Sequence, residues 1–247
     1  MKKYLPLILL GFGILVVVGA FVIVRGRREV NDAGEEEGAL IDVALNERPI
    51  VSLVPRSDGH YLDMKIEKLM VPGAKKLDYD FFYKTEGSNQ PLGGTGVIPL
   101  EGKDVVEEEL LFGTVSSGNY RYDEGVEEGT ITLRFRNSDG ELLVKFETDF
   151  HLQTGTDLLS SIDENFKYEL KEESEEFFVT MTTIGYPADA PAEVESGPYG
   201  VFSSGDEEFP GTVDLGVDNV YYWDGSEWNM LEGNESKNMG IFFGSTQ

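Results

Sequence analysis

From residue 48 to its end, this chain is written in short runs of alternating polarity, separated by Gly, Pro, Asn and Asp signals. A period of two suits an extended backbone, whose successive side chains point to opposite faces, so the body is expected to be all-β. In HYLDMKIEKL, Leu62, Met64 and Ile66 alternate with Asp63, Lys65 and Glu67; in LDYDFFYK, Leu77, Tyr79, Phe81 and Tyr83 alternate mostly with Asp78, Asp80 and Lys84. Each run offers one face to a core and one to water.

The sharpest local signal is ITLRFRNSDGELLVKFETDFHL. Asp139-Gly140 supplies two residues suited to the positive φ of a type I′ turn, which predicts a hairpin. That turn sets Ser138 opposite Glu141, Phe135 opposite Val144, Leu133 opposite Phe146 and Ile131 opposite Thr148. The other face pairs Arg134 with Lys145 and Thr132 with Glu147, so one face is apolar and the other polar. With PIVSLV (49–54), TGVIPL (95–100) and VVEEELLFG (105–113), seven strands fall within residues 48–152, the size of an immunoglobulin or fibronectin type III sandwich. A small closed barrel is the structural alternative.

A polar stretch follows at 153–165, in which TDLLSSID reads as a single helical turn. β-like segments resume at FKYEL, FFVTMTTI, PYGVFS, NVYYW, EWNML and IFF, with GYPADAPAEVESGP as a loop. Residues 153–247 are therefore either a smaller C-terminal β domain or an extension that completes the first sheet.

Ahead of the body, Tyr4 to Val24 form an uncharged run of 21 residues. As a helix it would rise about 31 Å, the thickness of a bilayer core. Val18-Gly19-Ala20 fits a signal-peptidase pattern, but Phe21 to Val24 carry the apolar run on to Arg25. That continuation favours an uncleaved transmembrane helix within residues 1–28. Basic residues flank both ends, so charge does not decide orientation; the short N-terminal tail and the long following domain point to a single-pass cell-membrane anchor with the body extracytoplasmic. Residues 29–47, rich in Glu and without a sustained period, read as an acidic stalk.

All the acid lies beyond the anchor: residues 29–247 hold 15 Lys and Arg against 46 Asp and Glu. Such a body repels phosphate backbones, which argues against nucleic acid as a partner. With no cysteine, disulfides, thiolate nucleophiles and Cys-ligated metals are excluded. The two histidines, His60 and His151, lack an HxxH or HExxH spacing and read as solvent-facing imidazoles. Ser116-Ser117 and Ser203-Ser204 are turn serines, not nucleophile elbows. Leu92-Gly93-Gly94-Thr95-Gly96 precedes a strand and lacks a Lys-Ser or Lys-Thr, so it reads as a loop between strands and not a phosphate cradle. No EF-hand pattern accompanies Glu107-Glu108-Glu109 or Glu127-Glu128, which read as solvated faces and turns. No catalytic residue, metal site or cofactor is expected.

One constellation stands out. In VYYWDGSEWNML, a two-residue turn at Asp224-Gly225 would set Tyr222 opposite Glu227 and Tyr221 opposite Trp228. Tyr221, Trp223 and Trp228 then share one face. A row of rigid aromatic surfaces suits sugar stacking or a protein contact; the competing reading makes both tryptophans core.

GTVSSGNYRYDEGVEEGTITLRF (113–135), DLLSSID, GPYGVFSSG and YYWDGSEW together resemble a group of N-terminally anchored surface proteins from ultrasmall candidate-phylum bacteria. The resemblance implies extracytoplasmic display and an immunoglobulin-like fold, and no catalytic residues. In that group the first motif is associated with a cysteine pair, whose places are held here by Val115 and Tyr120, so packing must hold the loop. The resulting expectation is a non-enzymatic, membrane-anchored cell-surface protein for adhesion or envelope interaction, bound to the membrane through residues 4–24, with a surface protein or glycan as ligand. Two alternatives stand beside it: a glycan-binding module using the aromatic hairpin, and a carboxylate-based hydrolase of envelope polymers, whose acids would sit about 5–5.5 Å apart in a retaining enzyme.

Overall fold

Alternation becomes strand almost throughout the computed structural model, which describes residues 41–87 and 90–246. The expected membrane run and most of the stalk lie outside these residues. Among the described residues no helix is long and apolar enough to cross a membrane. In chain order the strands are β1 (Ile50–Pro55), β2 (Tyr61–Glu67), β3 (Lys76–Thr85), β4 (Leu92–Pro99), β5 (Val105–Leu111), β6 (Gly113–Ser116), β7 (Asn119–Tyr122), β8 (Val126–Arg136) and β9 (Leu142–Gln153). They continue as β10 (Thr156–Ser160), β11 (Lys167–Ser174), β12 (Phe178–Thr182), β13 (Ser196–Ser203), β14 (Gly211–Asp214), β15 (Asn219–Trp223), β16 (Trp228–Met230), β17 (Glu235–Ser236) and β18 (Ile241–Ser245).

One nine-stranded sheet, ordered β16-β15-β18-β13-β12-β9-β8-β3-β4, forms the spine. A three-stranded sheet, β1-β2-β5, and a four-stranded sheet, β10-β11-β14-β17, accompany it. The body is thus all-β and sandwich-like, with antiparallel pairing throughout the three sheets. Strand β12 shows how the layers are arranged. Val179 and Met181 join a core with Leu53, Leu62, Met64, Ile131, Phe135 and Phe150, whereas the alternating Phe178 joins a second core with Tyr168, Tyr199, Val213 and Phe242. Since neighbouring side chains on a strand point to opposite faces, the two cores lie on opposite faces of the spine. Burial on both sides explains why FFVTMTTI is a continuous run without charge.

The long hairpin pairs as the alternation requires: Ile131 with Thr148, Thr132 with Glu147, Leu133 with Phe146, Arg134 with Lys145 and Phe135 with Val144. Its turn differs. The Asn137 and Glu141 backbones pair, Gly140 N–H donates to Asn137 O (3.2 Å), and Gly140 alone in the turn has positive φ (+86°). This is a three-residue loop closed by a glycine in the left-handed region, in place of the type I′ turn and the Ser138–Glu141 pair. The extra loop residue would shift every pair by one. The register is restored because Leu143 bulges between the Phe135–Val144 and Arg136–Leu142 pairs, and its carbonyl accepts the Ile41 N–H (2.8 Å).

Three further expectations are corrected. TDLLSSID contains no helical turn; Thr156–Ser160 is strand β10, with Leu159 fully buried in the second core. The glycine-rich stretch from Leu92 is an edge strand and not a loop, and Gly96 is required because a Cβ there would lie 2.3 Å from the Tyr79 ring. Residues 41–47, read as the end of the stalk, already touch the body: Val43 is buried in the first core and its carbonyl accepts from Arg48 Nε (3.0 Å).

Candidate functional site

Two aromatic hairpins bear on function. The first carries Tyr221, Trp223 and Trp228. Asp224 and Glu227 pair across a loop of Gly225 and Ser226, so Tyr222 faces Asn229, Tyr221 faces Met230 and Trp223 faces Trp228. The partners expected from an Asp224-Gly225 turn are replaced because the turn sits one residue later, with Gly225 (φ +98°) at the first central position that a Gly-first turn demands. Each residue on one strand therefore meets a partner two places further on, and a shift of two leaves the faces unchanged. Tyr221, Trp223 and Trp228 do share one face, opposite the second core.

The Asp224 carboxylate locks this loop. It accepts the N–H groups of Glu227 (2.9 Å) and Ser226 (2.8 Å) and the Ser226 hydroxyl (2.8 Å), which hold its pKa down to about 2. Behind it, Tyr221 stacks on Phe243 (4.8 Å between centroids), and Trp228 meets Phe243, Tyr186 and Trp223 edge to face. The Trp228 indole N–H donates to Ala188 O (3.1 Å), pinning the Pro and Ala loop against the ring. All three side chains are half-buried. Trp228, on the edge strand β16, is clamped between sheet and loop, whereas Trp223, at the end of β15, has Trp228 as its ring contact.

The second hairpin, β6–β7, was not anticipated as strands. Ser117 (φ +51°) and Gly118 (φ +80°) form its two-residue turn, which a Ser-Gly pair between two short runs signals on inspection. Val115 lies directly opposite Tyr120, so the two residues are cross-strand neighbours. The hairpin forms its own two-stranded sheet, and one of its faces carries the exposed Val115 (52%), Tyr120 (57%) and Tyr122 (41%). A two-stranded hairpin is marginal by itself. This one is fixed at its root by Phe112, fully buried, which exchanges backbone bonds with His60 (2.9 Å) and Asp123 (3.0 Å).

Aromatic stacking completes the attachment. Tyr122 lies flat on the His60 imidazole (4.1 Å, 9°), Tyr120 stacks on Tyr122 (6.1 Å, 20°), and Tyr61 meets Tyr122 edge-on (6.2 Å). Arg56 covers Tyr61 (4.9 Å) and is itself held by Asp63 (2.6 Å) and Glu109. His60 is thus a stacking platform and not a free imidazole. His151, expected on the polar face, is also tied down, its Nδ1 2.8 Å from Ser160 O.

Beyond His60 the surface falls into a cleft of about 640 Å³ where the β1–β2 turn meets the ends of β8 and β9. Asp58, Asp123, Glu124 and Glu127 line it together with both histidines and Phe177. Asp123 is oriented by the buried Tyr83, whose hydroxyl donates to it (2.9 Å); burial first, then that bond, raise the Tyr83 phenol well above its ordinary value. The remaining serines behave as turn residues: Ser204 Oγ accepts the Phe177 N–H (3.0 Å) and Ser203 Oγ the Gly205 N–H (3.0 Å). Among the described residues no group of three His, Asp or Glu side chains is placed to hold a metal ion. Comparison with protein-family models, curated proteins and solved structures finds no match to this chain.

Proposed function

We propose that the chain is a non-enzymatic, single-pass surface protein, anchored through residues 4–24, whose acidic ectodomain serves adhesion or envelope interaction. The observation that carries this reading is the β6–β7 hairpin, which holds Val115, Tyr120 and Tyr122 on an exposed face with ring stacking and a buried Phe112 at its root. Rigid, amphipathic aromatics presented this way are what recognition surfaces use as anchors. The strand order supports an immunoglobulin or fibronectin type III relationship for residues 50–153: β1-β2-β5 faces β4-β3-β8-β9, the pattern of such sandwiches when the fourth strand joins the third. The resemblance to anchored surface proteins of ultrasmall bacteria fits the same reading.

Binding of the full-length protein to isolated cell envelopes tests it. Tyr120→Ala should abolish most of the binding and leave the melting transition nearly in place, because this ring is 57% exposed and stacks only on Tyr122, within its own hairpin. Wild-type binding by that variant would refute the hairpin's role. A second reading, glycan binding at Tyr221, Trp223 and Trp228, rests on their half-exposed common face. Loss of oligosaccharide binding in Trp223→Ala, with the fold intact, is its test.

A further inference from the structure

The charge pattern around the tyrosine hairpin identifies a kind of partner. On the strand faces of the body some acids are paired with cations: Asp80 with Arg134, Asp78 with Arg136 and Lys76, Glu128 with Lys84, and Glu147 with Lys145. Around the cleft next to the hairpin, Asp58, Asp123, Glu124 and Glu127 have no Lys or Arg among the lining residues. Arg121, on β7 itself, alternates to the face opposite Tyr120 and Tyr122, and Arg56 is already held by two carboxylates. His60 joins the two regions, stacking on Tyr122 while it lines the cleft.

We infer that the exposed face of β6–β7 and the adjoining cleft form a docking surface for a basic segment of another polypeptide. The aromatic face would take the flat, weakly hydrated guanidinium planes of arginine, and the cleft carboxylates would take the charge. The concavity lies in the size range of ligand pockets and so admits whole side chains. Charge argues against a second copy as occupant, because two bodies with 46 acids each repel. This inference rests on the surface-recognition reading and names its partner.

The test measures octa-arginine binding to the full-length chain by fluorescence anisotropy at about 0.15 M salt, where long-range attraction is largely screened. Asp58→Asn with Glu124→Gln and Glu127→Gln should weaken binding about tenfold or more, and Tyr120→Ala with Tyr122→Ala about fivefold. A remote triple change, Glu101→Gln with Asp104→Asn and Glu107→Gln, removes the same charge and should change it less than about twofold. Equal losses in both triple variants would reduce the binding to net charge and overturn the inference. So would unchanged binding in the tyrosine variant, a Tyr120-dependent affinity for chitohexaose in place of the peptide, or Tyr120-dependent self-association in sedimentation. Peptide binding at this face by a body that proves to be intracellular would sink the surface-display reading alone.

Discussion

Two glycines in the same hairpin separate backbone strain from packing strain. Gly140 sits at φ +86° with nothing within 4 Å of where a Cβ would stand, so Gly140→Ala meets only the left-handed penalty. That is about 1 kcal/mol, and somewhat more for the β-branched Gly140→Val. Gly129, on β8, has ordinary φ, yet its Cβ would lie 2.4 Å from the Phe82 carbonyl oxygen and 2.4 Å from the ring of Phe150, which is fully buried. Neither the paired strand nor the core ring can move aside cheaply, so Gly129→Ala should cost about 3 kcal/mol or more. For a body of this size each kcal/mol lowers the melting temperature by about 2–4 °C. Calorimetry and urea unfolding should place Gly140→Ala a few degrees below wild type and Gly129→Ala well below both. Equal destabilisation, or a neutral Gly140→Val, would refute the reasoning about the turn.

Trp228→Ala removes a half-buried ring, three aromatic contacts and the bond to Ala188, and should cost about 3 kcal/mol, whereas Trp223→Ala should cost less than half as much; equal urea midpoints would contradict the clamp. Val115→Cys with Tyr120→Cys should oxidise to a cross-strand disulfide seen by non-reducing mass spectrometry, since the pair next to a two-residue turn's first pair brings its Cα atoms to about 4.5 Å. Asp224 should titrate near pH 2 by carboxyl NMR. Because its folded pKa is depressed, its contribution is complete above about pH 4, the ordinary carboxylate value, and is lost as pH falls toward 2; Asp224→Asn should flatten that part of the acid-stability curve.

The strands and the hairpin register were legible in the sequence because alternation fixes faces whatever the turn does. Phe135 meets Val144 as the pattern requires, although the loop is one residue longer, because the Leu143 bulge absorbs the difference. A bulge leaves no mark in polarity, so it was invisible. The shared face of Tyr221, Trp223 and Trp228 was legible for the same reason, while their cross-strand partners depended on where the turn began. Strand β10 was misread because Leu158 is exposed and only Leu159 of TDLLS enters the second core fully buried, which leaves no period to count. The tyrosine hairpin was overlooked because it packs through His60 and Tyr61, residues distant in sequence, and a local pattern cannot show such stacking.

The display of the body outside the cell is the claim on which the functional account rests. Protease added to intact cells that carry the full chain with a C-terminal epitope tests it directly. The account predicts loss of the epitope while a cytoplasmic marker stays intact; protection of the epitope in sealed cells, with digestion only after lysis, would contradict it.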